Sequence, residues 1–134
     1  MPKISETQLY NMVSRELLHI CRDDLKISEE CIHICRVESG GSCPGIPDIN
    51  VCIKGIEFWI ECKISNMAGS RNQLKPMQKS WAKHRTLAGG KVFVLRYNSI
   101  HDRFTLVNCE VLVTTGSLRN VLEALLFEVS KEEV

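Results

Sequence analysis

Apolar and polar residues alternate along two short runs, Ile46 to Ile53 and Ile56 to Lys63, interrupted only by Lys54-Gly55. Alternation with period two marks a half-buried strand, and a two-residue interruption is the spacing of a β-hairpin. Upstream, Leu9, Met12, Val13, Leu17 and Ile20 recur at helical spacing, which predicts an amphipathic helix to about Arg22. Ser5 and Gln8 supply a capping box for it, and Ile4 can pack on Leu9. Glu16 flanks the apolar stripe as a solvated charge. Arg22 to Glu30 is polar and turn-like, and Cys31 to Val37 alternates as a strand. Past the hairpin, Ile64 to Lys75 reads as a polar loop. Pro76 opens a second helix that stops at Gly89-Gly90. Lys91 to Tyr97 is a buried strand, Asn98 to Asp102 a turn, and Phe104 to Val107 with Val111 to Val113 further strand at the edge. Ser117 caps a closing helix bearing Leu118, Val121, Leu122 and Leu125.

This pattern predicts one α/β domain over 1–134, with its core at about 5–97, an added strand and helix over 103–127, and a frayed tail at 128–134. No repeat or linker interrupts it.

The hairpin fixes a register. With Ile53 opposite Ile56, each step outward pairs Asn50 with Trp59, Ile49 with Ile60, and Asp48 with Glu61. Two carboxylates then stand side by side. Directly opposed like charges destabilise a sheet, and two unit charges about 5 Å apart repel by about 3 kcal/mol at an effective dielectric near 20. A divalent cation neutralises such a pair, and Mg²⁺ is commonly held by one or two carboxylates while water and substrate phosphate complete its shell. The backbone carbonyl of Cys62 is placed to serve as a third ligand. Lys63 follows Glu61 by two residues and so shares its face, opposite the apolar Ile49, Val51, Ile53, Ile56, Phe58, Ile60 and Cys62. Two acids and an amine suit metal-assisted phosphodiester hydrolysis, in which Lys63 either orients or deprotonates the attacking water or stabilises the developing charge.

Composition narrows the setting more than the chemistry. Seventeen basic and sixteen acidic residues leave a formal charge of +1, so nucleic-acid binding must rest on a local patch. Arg71, Lys75, Lys79, Lys83 and Arg85 make the second helix and its approach the most basic stretch, suited to phosphate. The Ser39-Gly40-Gly41 loop allows close backbone approach to a ligand. Seven cysteines without framework spacing, no secretory leader and no long apolar run lead us to expect a reducing cytoplasm and no membrane span. Cys31, His33 and Cys35 share a strand face, but a zinc site takes four ligands and no second pair lies nearby. Phosphate-binding glycine loops and a GxSxG elbow are absent. A Cys-His nucleophilic pair is left open by seven cysteines and four histidines, and no spacing selects one.

Pro47-Asp48, twelve residues, and Glu61-Cys62-Lys63, placed after a helix and before a Gln-bearing helix, resemble the PD-(D/E)xK nuclease superfamily. Within it, the likeness is to the stand-alone virus-type replication-repair nuclease (VRR-NUC) domains. Gly45-Ile46-Pro47-Asp48 is similar to their Gly-x-Pro-Asp, and Ile60-Glu61-Cys62-Lys63 to their Ile-Glu-x-Lys. Gln78, and Ser5-Glu6-x-x-Leu9 near the start, resemble two further motifs, so that the likeness runs from about Ser5 to Tyr97. The resemblance implies a restriction-endonuclease-like α-β-β-β-α-β core with a central mixed sheet, an extra edge strand and a C-terminal helix. It also implies a Mg²⁺- or Mn²⁺-dependent endonuclease acting on DNA in repair or recombination. Asp48, Glu61, Lys63, Gln78 and Glu6 would be its catalytic set, with Glu6 as a further acid near the metal. If the chain is virus-encoded, it would work in the host cytoplasm. Arg36 to Gly41 is also similar to the strand approach in archaeal Holliday-junction resolvases, with Glu38 and Ser39 departing from that pattern. Two alternatives follow: a dimeric junction resolvase, since paired cuts call for two sites about a two-fold axis, and a non-catalytic nucleic-acid-binding domain.

Overall fold

The computed structural model describes residues 4–38, 43–65, 74–108 and 111–131. Ser5 caps helix α1 (Glu6–His19) through the expected box: its hydroxyl accepts from the Gln8 N–H at 3.1 Å and its N–H donates to Gln8 Oε1 at 2.7 Å. The helix does not run on to Arg22 in the α form. Ile20–Asp24 widens into a π turn, which keeps Ile20 and Cys21 buried while freeing Asp23 and Asp24 for ion pairs.

A 3₁₀ turn at Glu29–Cys31 leads into β1 (Ile32–Arg36), one residue later than the alternation begins. Next come β2 (Ile49–Ile53) and β3 (Ile56–Ser65), joined by Lys54-Gly55 with φ of 51° and 84°. Two consecutive positive φ values define the turn whose twist suits a hairpin, and glycine at the second position lowers its cost. α2 (Pro76–Leu87) follows, then β4 (Val92–Asn98), β5 (Arg103–Asn108), β6 (Val111–Gly116) and α3 (Leu118–Ser130).

The chain is thus mixed α/β, with a six-stranded sheet ordered β1-β2-β3-β4-β5-β6. Every neighbouring pair is antiparallel except β3–β4. A parallel pair needs a long crossover, and the chain between Ser65 and Val92, which carries α2, provides it. The material foreseen as one edge strand forms two, β5 and β6, with a register shift between Leu106 and Val107. The closing helix also extends past the point where fraying was expected, through Glu128 to Ser130, because Val129 is 5% exposed and anchors its last turn.

α1 and α3 pack together on one sheet face. Leu9, Val13 and Leu17 from α1, and Val121, Leu122 and Leu125 from α3, are fully buried against Ile49, Val51, Phe58, Ile60 and Leu95. Full burial of one such side chain contributes about 1.5–3 kcal/mol, so this layer dominates stability. Arg119 joins the two helices at the rim, pairing with Glu16 at 2.8 Å and with Asp24. Glu16 is therefore held in an ion pair rather than solvated. α2 lies on the opposite face, over β3 and β4. β4, covered on both sides, is apolar at nearly every position, as a buried parallel strand should be.

Candidate metal centre

The hairpin register is the one the turn length dictates: Asn50 pairs with Trp59 and Ile49 with Ile60, with no shift between β2 and β3. One further step along the register brings Asp48 beside Glu61, whose carboxyl is raised by the Asp48 charge and by a side-chain hydrogen bond with it. Asp48 Oδ2 accepts the backbone N–H of Cys62 at 2.8 Å, which fixes the carboxylate at the end of the strand. The carbonyl of Asp48 accepts from the Val37 N–H at 2.7 Å, tying the same residue to the end of β1.

Pro47 explains why this end of the hairpin can take a ligand. Continuing the register puts Pro47 opposite Cys62, and proline has no N–H to give to the Cys62 carbonyl. In a strand the N–H and C=O of one residue point to the same edge, so the Cys62 carbonyl is directed toward Asp48 as its N–H is. The Cys62 thiol points into the core, is 3% exposed, and is pushed up by burial.

Glu61 is 5% exposed. Burial first, and the Asp48 carboxylate second, raise its pKa far above the ordinary carboxylate range, while Lys63 draws it back. Gln78 Nε2 donates to Glu61 Oε2 at 3.3 Å, but Glu61 Oε1 is buried with no hydrogen-bond partner. An acceptor left so in a cluster of acids has the character of a cation ligand. Lys63, only 8% exposed, lies on the same face, and Arg96 is its register partner on β4. Burial lowers the Arg96 pKa. Arg96 was missed in sequence because it reads as one cation in an apolar strand; only the β3–β4 register puts it beside Lys63.

Gln78 reaches Glu61 through two fastenings of α2. Its Oε1 accepts from the Lys75 N–H at 2.8 Å, which holds the amide at the first helical turn. Farther along, Trp81 packs on Trp59 at 5.1 Å, and Arg85 lies over both rings, 4.7 Å from Trp81 and 5.4 Å from Trp59. Arg85, counted in sequence with the basic residues of this stretch, takes part in this stack. At the near end Gly45, with φ of +86°, touches the same helical turn, and a Cβ there would fall 2.2 Å from the Met77 carbonyl oxygen. That contact seats the turn just before Asp48 against the first turn of α2.

Other expected site residues are dispersed. Glu6 is exposed at the start of α1 and acts on Glu61 only as the weakest of its named charges. Among the described residues no group of three or more His, Cys, Asp or Glu side chains could hold a metal; Asp48, Glu61 and the backbone of Cys62 are the groups that meet at the hairpin end. Such a set still fits Mg²⁺ or Mn²⁺, which need only one or two carboxylates. Lys75, Lys79 and Lys83 are exposed on or beside α2. Ser39, Gly40, Gly41 and Arg71 lie outside the described residues. No protein-family model and no curated protein sequence matches the chain. No helix among the described residues is long and apolar enough to cross a membrane.

Proposed function

We propose that the protein is a Mg²⁺- or Mn²⁺-dependent endonuclease on DNA, of the PD-(D/E)xK kind and similar to the VRR-NUC domains. Asp48 and Glu61 face each other at the hairpin end, and the Glu61 oxygen that is buried without a donor carries the reading. Asp48, Glu61 and the Cys62 carbonyl would hold the ion, which polarises the phosphate and lowers the pKa of the attacking water. Lys63 contributes positive charge where the pentavalent phosphate forms. Gln78 orients the Glu61 carboxylate through its Oε2 contact, so it is a positioning residue.

Purified Asp48→Asn, Glu61→Gln and Lys63→Ala variants should each lose metal-dependent cleavage of DNA by about 100-fold or more while melting as folded proteins. Full cleavage by all three would overturn the assignment.

A further inference from the structure

Two residues beyond Glu61, the register of the sheet sets Lys63 of β3 beside Arg96 of β4, and Arg96 beside Thr105 of β5. The next row sets Ser65 beside Asn98, and Asn98 beside Arg103. Phe104 and Leu106 point into the core under α1 and α3, so Arg103 and Thr105 share the opposite face with Lys63 and Arg96. Lys63, Arg96 and Arg103 therefore step diagonally over three neighbouring strands, away from Glu61. Neighbouring strands lie about 4.8 Å apart, and diagonal neighbours about 7–8 Å. Lys63 is 8% exposed, Arg96 is half-buried and Arg103 is exposed, so the line climbs from the metal centre to solvent. β4, β5 and β6 contain no acid to oppose it. Asp102, in the turn before β5, accepts from the Tyr97 hydroxyl, whose ring belongs to the core face. The Thr105 and Thr115 hydroxyls, 3.4 Å apart, carry the row on to β6 without charge.

Arginine stays charged at any working pH, and its planar fork can grip two phosphate oxygens at once. An anion lying over the Lys63–Arg96 row is drawn to both cations, and the next anion along the diagonal meets Arg103. We propose that Arg96 and Arg103 form a subsite for the backbone phosphates next to the scissile one, so that the strand being cut leaves the metal centre across β4 and β5 toward β6. These contacts are separate from those open to the lysines of α2. In the sequence each of the two arginines is a single cation in an apolar strand, and only the β3–β4 and β4–β5 registers bring them into line with Lys63. The subsite rests on the nuclease reading above, and its test separates the two.

Anisotropy titrations in Ca²⁺ would compare the wild-type chain with Arg96→Gln, Arg96→Lys and Arg103→Gln on a labelled flapped duplex, in which one backbone phosphate after another is replaced by a neutral methylphosphonate. Arg103 is exposed, so its variant keeps the fold whatever Arg96→Gln does, and melting curves verify both. Wild-type affinity should fall about tenfold at two neighbouring positions of the walk, one for each lost charged contact. Arg96→Gln should be indifferent to the replacement at one of them and Arg103→Gln at the other. Each should also lower the slope of log affinity against log salt by about one, whereas Arg96→Lys should keep the wild-type slope. No binding by the wild type, an unchanged slope in both Gln variants, or sensitivities that both of them retain would overturn the subsite. Mg²⁺-dependent cleavage is scored separately. Cleavage without this binding pattern removes the subsite alone, whereas the pattern without cleavage keeps the subsite and removes the nuclease.

Discussion

Toward α1 and α3 the sheet presents Ile49, Val51, Phe58, Ile60, Phe93, Leu95 and Leu106, none more than 2% exposed. Toward α2 the same strands present Asn50, Trp59, Glu61, Lys63 and Arg96, and there the strands leave Asn50 Nδ2, Trp59 Nε1 and Glu61 Oε1 buried without partners. Two helices seal the first face by area. One helix fastened at a few points covers the second. The first face supplies the free energy that lets the second carry an acid pair, a buried lysine and unpaired donors, none of which stabilises a fold.

The largest effect expected from breaking that division is on the sealed face. Phe58→Ala should cost about 3–5 kcal/mol, measured by urea unfolding, since Phe58 is fully buried and stacks edge-on against Phe93. A loss below about 1 kcal/mol would mean that this layer does not carry the stability. Next is Gly45→Ala, where both the positive φ and the Met77 carbonyl oppose a side chain. It should cost about 1–3 kcal/mol and lower metal-dependent cleavage about tenfold, because Asp48 and Gln78 can no longer keep their spacing. Unchanged cleavage would uncouple α2 from the acid pair.

The third test uses pH. Glu61 has a raised pKa in the fold, so between the ordinary carboxylate range and that raised value the native state holds a proton that the unfolded chain has lost. The stability it contributes is therefore present at low pH and disappears as pH rises. Without metal, stability should fall by at most about 1.4 kcal/mol per pH unit over that window. Glu61→Gln should flatten the slope and raise the melting temperature in EDTA. Mn²⁺ should stabilise the wild type more at pH 8 than at pH 6. A flat profile for the metal-free wild type would refute the account of Glu61. The smallest effect belongs to the rim: Arg119→Ala should cost about 1 kcal/mol or less, and less still in high salt, because its pairs with Glu16 and Asp24 are partly exposed.

Local signals told much of this in advance. Ser5 and Gln8 announced the first cap, Lys54-Gly55 set the hairpin register, and period-two alternation sorted Glu61 and Lys63 from Phe58 and Ile60. Each of those rests on chain neighbours. What escaped needed partners distant in sequence. The β3–β4 pairing puts Arg96 beside Lys63, Arg119 takes Glu16 from a helix about a hundred residues away, and Gly45 meets Met77 across the crossover. The π turn at Ile20–Asp24 was hidden for a different reason: apolar spacing continues through it, and only backbone hydrogen bonding tells the two helix forms apart. Glu6 entered through a motif match, and the structure leaves it exposed at the start of α1, the last of the named charges that act on Glu61.

The shortness of the Lys54-Gly55 turn also bears on the order of folding. Asp48 and Glu61 belong to one local hairpin, a unit that forms in about microseconds, whereas β4 must wait for a long crossover to close beside β3. The repulsion between the acids is thus met early, before α2 can bring Gln78 to Glu61. Refolding should therefore be slowed by alkaline conditions and quickened by divalent metal in its hairpin-forming phase, so that the ion assists the assembly of its own site.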